Sequence, residues 1–165
     1  IDKIVADLHD YARPLKPRIV TVDLKNFVDN LLSNLVVPAN IRVSTTFEQA
    51  MSEVKTDPVL LKRILTNLIV NAIQAMPNGG KVSINVRQNK KSGNIVIDVE
   101  DTGIGMSKEV QEKLFTPLFT TKSKGQGFGL AVVKRLIEVL GGTITFESEV
   151  NKGTKFTVSL PVQES

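Results

Sequence analysis

Asn67 and Asn71 stand four residues apart in a run of helical periodicity, so their side chains stack one turn apart on one face. Two carboxamides so placed offer oxygens to a hard cation and NH₂ groups to phosphate oxygens. The same pair also suits a solvated helix face. Asp101-Thr102-Gly103-Ile104-Gly105-Met106 leaves a strand-like run. A carboxylate at a strand end can accept a hydrogen bond from an exocyclic amine, and glycines let backbone turn and approach a flat ligand. Asp and Gly also build plain turns. Lys124-Gly125-Gln126-Gly127-Phe128-Gly129-Leu130 opens a helix. Glycines at every second position expose amide N–H groups, and the helix N-terminus adds partial positive charge, a combination that binds anions. A flexible hinge uses glycine as well. The spacing is G-x-G-x-G after a loop, so neither the dinucleotide fingerprint nor a Walker A loop is present. Gly153-Thr154 sets a hydroxyl at the entry of the last strand, a pair that by itself is common at hairpins.

The elements that must hold these groups are legible from periodicity. Ile1, Ile4, Val5, Leu8, Tyr11 and Ala12 recur at helical spacing until Pro14 and Pro17 stop the pattern. Asp23 caps a second helix carrying Leu24, Phe27, Val28, Leu31, Leu32 and Leu35, ended by Pro38 and Asn40. Residues 41–47 alternate as a strand, with 53–56 as a possible short partner. Asp57-Pro58, a cap followed by Pro at the first helical position, starts a helix running to about Met76. Its apolar arc is Leu61, Ile64, Leu65, Leu68, Ile69, Ala72 and Met76, with Arg63, Asn67, Asn71 and Gln74 opposite. Pro77-Asn78-Gly79-Gly80 breaks it. Residues 81–87 and 95–101 read as a hairpin, Ser107 caps a short helix reaching Phe115, and a Thr/Lys/Gly-rich stretch spans 116–126. A helix from about Gly127 to Leu140 and a hairpin of 143–147 with 154–160 complete the chain. Helices alternating with antiparallel hairpins predict an α+β fold, one mixed sheet with helices on one face.

The totals exclude several classes. A chain of 165 residues, 41% hydrophobic and 23% charged, forms one soluble globular domain with a short appendage. Cysteine is absent, which removes disulfides and thiolate-bound metal. No apolar run approaches the ~18 residues of a membrane span. The net charge of +4 comes without a Lys/Arg stripe and with only 5% aromatics, so nucleic acid is not an expected partner. The chain opens mid-helix without Met and reads as a fragment.

Order and spacing say more than any single motif. Asn67/Asn71, Asp101-x-Gly-x-Gly, Leu114-Phe115-Thr116-Pro117-Leu118-Phe119-Thr120-Thr121-Lys122, Gly125-x-Gly-x-Gly129 and Gly153-Thr154 together resemble the five boxes of sensor histidine kinase catalytic domains. The resemblance covers about residues 20–162. The wider group is the ATPase superfamily of gyrases, heat-shock chaperones, mismatch-repair proteins and histidine kinases, whose Bergerat fold is a two-layer α/β sandwich with a mixed, mostly antiparallel sheet.

The resemblance implies ATP and Mg²⁺ as cofactors, with Asn71 the metal ligand and Asn67 its neighbour near the phosphates. Asp101 would contact adenine with Gly103, Gly105, Met106 and Thr154 about it. Residues 107–125 would form a lid packed down by Phe115 and Phe119. Lys122 would reach the γ-phosphate, and Gly125, Gly127, Phe128, Gly129 and Leu130 would line the phosphates. Chaperones and gyrases carry a water-activating Glu where this chain has Asn67, and a carboxamide cannot act as a base. That favours phosphoryl transfer to a protein side chain. The alternatives are a protein-serine kinase or ATPase of the same superfamily, or a nucleotide-binding regulatory module without turnover.

His9-Asp10-Tyr11-Ala12-Arg13-Pro14-Leu15 superficially resembles the phosphoacceptor box of that family. The acceptor must be followed by a second long helix, and none fits before Pro14 and Pro17. Residues 1–17 therefore read as the end of a dimerisation helix and its linker, and 18–165 as the ATP-binding domain. The implied partners are the dimerisation domain bearing the acceptor His and a response regulator receiver domain. The full-length protein is expected to be a cytoplasmic-facing homodimer, this chain a monomer.

Overall fold

A computed structural model describes residues 16–48, 53–117 and 129–162. The first helical segment with His9, and the stretch containing Leu118, Phe119, Lys122, Gly125, Gly127 and Phe128, lie outside the described residues.

Strand β1 (Val20–Asp23) leads straight into helix α1 (Leu24–Ser33). Asp23 caps that helix as its sequence predicts, its carboxylate accepting from Asn26 N at 3.1 Å. Leu24, Val28 and Leu31 are buried. The helix stops before Leu35 because Ser33 and Asn34 both turn back to bond the Asn30 carbonyl, at 2.8 and 2.9 Å.

Strand β2 (Ile41–Phe47) and strand β3 (Glu53–Thr56) are both present, but they do not pair. Strand β3 runs antiparallel to β1, and β2 runs parallel to β4 (Gly80–Gln88). Ile41 and Val43 of β2 extend the apolar face of β4, whereas Glu53 and Lys55 make β3 fit only for a small outlying ribbon.

A parallel pair needs a crossover. Helix α2 (Pro58–Gln74) supplies it, with Asp57 at its N-cap and Pro58 in its first turn. Asp57 accepts from Val59 N at 2.9 Å, Leu60 N at 3.1 Å and, across 39 residues, Arg18 N at 2.7 Å. The whole expected apolar arc of α2 is buried.

Strand β5 (Ile95–Asp101) forms the expected hairpin with β4. Helix α3 (Lys108–Glu112), capped by Ser107, is shorter than its sequence suggests. Helix α4 (Gly129–Val139) and the hairpin of β6 (Thr143–Glu149) and β7 (Gly153–Leu160) follow. The main sheet has the order β2-β4-β5-β7-β6, mixed and mostly antiparallel. Its inner face (Val82, Ile84, Ile97, Val99, Phe156, Val158) forms one core with α1, α2 and α4. The two-layer α/β sandwich predicted from the sequence is what forms.

Candidate functional site

Helix α2 anchors both ends of the site. Its exposed side carries Asn67, whose Nδ2 donates to the Arg63 carbonyl at 2.9 Å. A carbonyl only accepts, so this bond fixes the amide and leaves its oxygen for the other side. That oxygen faces the start of α4, where a Cβ built on Gly129 would lie 3.9 Å from it. Asn71 follows one turn later on the same half-exposed strip, and Leu130 sits beside Gly129 at the head of α4. Carboxamide oxygens opposite a helix N-terminus provide hard ligands for a cation and a positive dipole end for an anion.

One turn beyond Asn71, Ala75 ties the end of α2 to the loop after β5. Ile104 N donates to the Ala75 carbonyl at 2.9 Å. Gly103 lies so close to Ala75 that a Cβ would run into the same carbonyl. At Gly105 (φ 69°), a Cβ would collide with the backbone of Glu149, and Asn151 N donates to Ile104 O at 2.7 Å. The two glycines expected to admit a flat ligand thus first of all admit protein backbone. They clamp the loop between α2 and the tip of the β6–β7 hairpin.

The clamp fixes Asp101, which is 6% exposed at the end of β5. Its Oδ1 accepts from Gly103 N at 2.8 Å and from Thr154 N at 3.3 Å. Thr154, its direct neighbour on β7, is equally buried. Met106 N donates not to open space but to the Ser148 hydroxyl at 2.9 Å. Gln111 of α3 binds the Met106 carbonyl at 2.8 Å. Sequence reasoning missed Ser148 and Gln111. The signal for Ser148 was a hydroxyl in the inward phase of β6, after Ile144 and Phe146, and it acquires meaning only once the β6–β7 register is known.

Phe115, expected to pin the lid, packs edge-on against Phe146 with ring centroids 6.0 Å apart, and Lys134 Nζ stands 5.4 Å above its ring. The structure brings together Asp101, Gly103, Gly105, Met106 and Thr154 at one place, and Asn67, Gly129 and Leu130 at another. Asn71 lies between the two along α2. Lys122, Gly125, Gly127, Phe128 and Phe119 belong to the stretch outside the described residues.

A family model described as histidine kinase-, DNA gyrase B- and HSP90-like ATPase matches residues 56–164. The chain belongs to that family. Among its relatives, the sensor histidine kinase ZraS of Klebsiella oxytoca is 36% identical over 165 residues, covering 98% of this chain and 36% of that protein. Sporulation kinase D of Bacillus subtilis is 31% identical over 169 residues, covering 100% of this chain and 33% of that protein. The chain therefore spans about a third of the length of these curated relatives. The solved catalytic domain of histidine kinase ThkA, nucleotide free, is 26% identical with a TM-score of 0.75, covering 88% of this chain and 96% of that one. The resemblance to sensor histidine kinase ATP-binding domains read from the five motifs therefore holds, in sequence and in fold.

Proposed function

We propose that this chain binds Mg·ATP and donates the γ-phosphoryl group to a histidine on the dimerisation domain of a two-component sensor kinase. The observation that carries the reading is the double use of α2. The helix presents Asn67 to the head of α4 at one end of the site and clamps the Asp101 loop through Ala75 at the other. Eight residues of helix separate these points, about 12 Å, which leaves room for a base at one and phosphates at the other.

Asp101, already oriented by two backbone amides, accepts from the amino group of adenine. The head of α4 receives the phosphates. Asn71 is the residue that would hold Mg²⁺, since its carboxamide offers a hard oxygen ligand on the face it shares with Asn67, and Mg²⁺ is commonly held by few protein oxygens plus substrate phosphates. When bound, the metal supplies charge neutralisation on the phosphate oxygens and a fixed geometry for transfer. The chain's own contribution is positioning, and with a carboxamide at position 67 it has no base there to activate water. Lys122 and the glycines 125 and 127 complete the phosphate contacts on the family pattern.

In the same reading residues 1–17 belong to the dimerisation domain and its linker, and the acceptor histidine is not His9. The intact protein is a homodimer that passes the phosphoryl group to a response regulator receiver domain, and the ATP-binding domain works in the cytoplasm. No helix among the described residues is long and apolar enough to cross a membrane.

The test is incubation with γ-labelled ATP in the presence and absence of the dimerisation hairpin of the same kinase. Acid-labile, base-stable label should appear on the hairpin only. Acid-stable label would identify a serine kinase instead. Label on this chain alone, lost in His9→Gln, would make His9 the acceptor.

A further inference from the structure

At one end of the inner face of the main sheet, three neighbouring strands each bring a polar group to the same level. Asp101 of β5 pairs with Thr154 of β7, and Thr154 pairs with Ser148 of β6. Asp101 and Thr154 are each 6% exposed. The Ser148 hydroxyl touches three partners, Met106 N at 2.9 Å, Gly153 O at 3.2 Å and Thr154 Oγ1 at 2.8 Å.

We propose that Ser148 is a specificity-determining positioning residue, which fixes the hydroxyl proton of Thr154 so that the Asp101–Thr154 pair presents hydrogen-bond acceptors only. This rests on the adenine-nucleotide reading above and deepens it. The proton count is strict. Met106 N–H can only donate, the Gly153 carbonyl can only accept, and serine owns one proton. All three bonds coexist in one arrangement alone. Ser148 accepts from Met106 and donates to Gly153, so the 2.8 Å contact must use the Thr154 proton. Thr154 Oγ1 then turns only lone pairs to a ligand, and the neighbouring carboxylate likewise accepts. Two acceptors side by side favour a base with an exocyclic amine at position 6. They oppose a base with a carbonyl there, where lone pair would meet lone pair. Without Ser148 the threonine hydroxyl is released to rotate and can donate to that carbonyl.

Calorimetric titration of the 165-residue chain with three nucleoside diphosphates reads this out. All three leave N1 unprotonated: ADP carries the amine at position 6, purine riboside diphosphate carries hydrogen, and 6-methoxypurine riboside diphosphate carries an oxygen that can only accept. The wild type should bind ADP tightest and the methoxy analogue weakest, with steps of about fivefold or more, the worth of one neutral hydrogen bond made or opposed. In Ser148→Ala the ratio of methoxy-analogue to ADP dissociation constants should fall by about fivefold, and Ser148→Thr, which restores a hydroxyl, should return it toward the wild-type value. A merely structural Ser148 would weaken all three ligands alike and leave the ratio unmoved, which overturns the proposal. Should Ser148→Ala fail to fold, the wild-type series decides alone. The methoxy analogue binding as well as or better than purine riboside diphosphate shows Thr154 donating, and the proposal is wrong. No binding of any of the three overturns the nucleotide reading itself, whereas ADP binding with the wrong order overturns this proposal only.

Discussion

Asp57 holds together more of this domain than its place at a helix start suggests. One carboxylate oxygen caps α2 through Val59 N and Leu60 N, and the other takes the Arg18 amide from the segment that precedes β1. Replacement by alanine removes both functions. Loss of an N-cap costs about 1 kcal/mol, and an amide deprived of a charged acceptor in a part-buried site costs about 1.5–3 kcal/mol. The expected destabilisation of Asp57→Ala is therefore about 3 kcal/mol. Asparagine caps helices as well as aspartate does. In Asp57→Asn the oxygen keeps Val59 and Leu60, while the NH₂ group faces the Arg18 N–H, so only the second contribution is lost, about 2 kcal/mol. Urea unfolding measures both. With a slope near ~2 kcal/mol/M, the midpoint should drop by about 1.5 M for alanine and about 1 M for asparagine at constant slope. Equal losses in the two variants, or losses under ~0.5 kcal/mol in both, would refute the division of labour between the two oxygens.

Three further outcomes follow from the site. Gly105→Ala places a Cβ at φ 69° against the Glu149 backbone and should destabilise the chain by about 2–4 kcal/mol in thermal or urea unfolding; a change below ~1 kcal/mol would mean that the loop is not clamped there. Asn71→Ala should abolish the Mg²⁺-dependent part of ATP affinity in calorimetry while moving stability by less than ~1 kcal/mol, and unchanged affinity in Mg²⁺ would remove it as the metal ligand. Asp101→Asn keeps an oxygen for the Gly103 and Thr154 amides but offers NH₂ where adenine needs an acceptor, so ATP affinity should fall by about 2–3 kcal/mol with little loss of stability; ATP affinity equal to wild type would reassign the adenine contact.

Local chemistry made α2 and the β4–β5 hairpin legible. A Pro-bearing cap, an uninterrupted apolar arc and a turn cluster each act over a few residues, and the structure reproduces them. Pairing between distant strands was not legible. β1 is four residues long and runs without a break into α1, so no turn marks it. The partner of β3 is decided by which strand can complete the apolar face of β4, a choice made in three dimensions. The site shows the same division. Asn67, Asn71, Asp101 and Thr154 stand out by type and spacing, and the structure sets them along one helix and at one sheet end. At the two loop glycines, Gly103 and Gly105, the missing Cβ makes room for the backbone of Ala75 and Glu149, a close approach that only the folded chain reveals. Ser148 resembles any strand serine until the register sets it beside Thr154.

Nucleotide binding is the central claim, and calorimetry with ATP in Mg²⁺ and again in excess chelator tests it most directly. Binding of ATP in Mg²⁺ should be saturable and one-to-one, clearly weaker on chelation, and much weaker for GTP. No binding of ATP, or GTP and ATP binding equally, would contradict it.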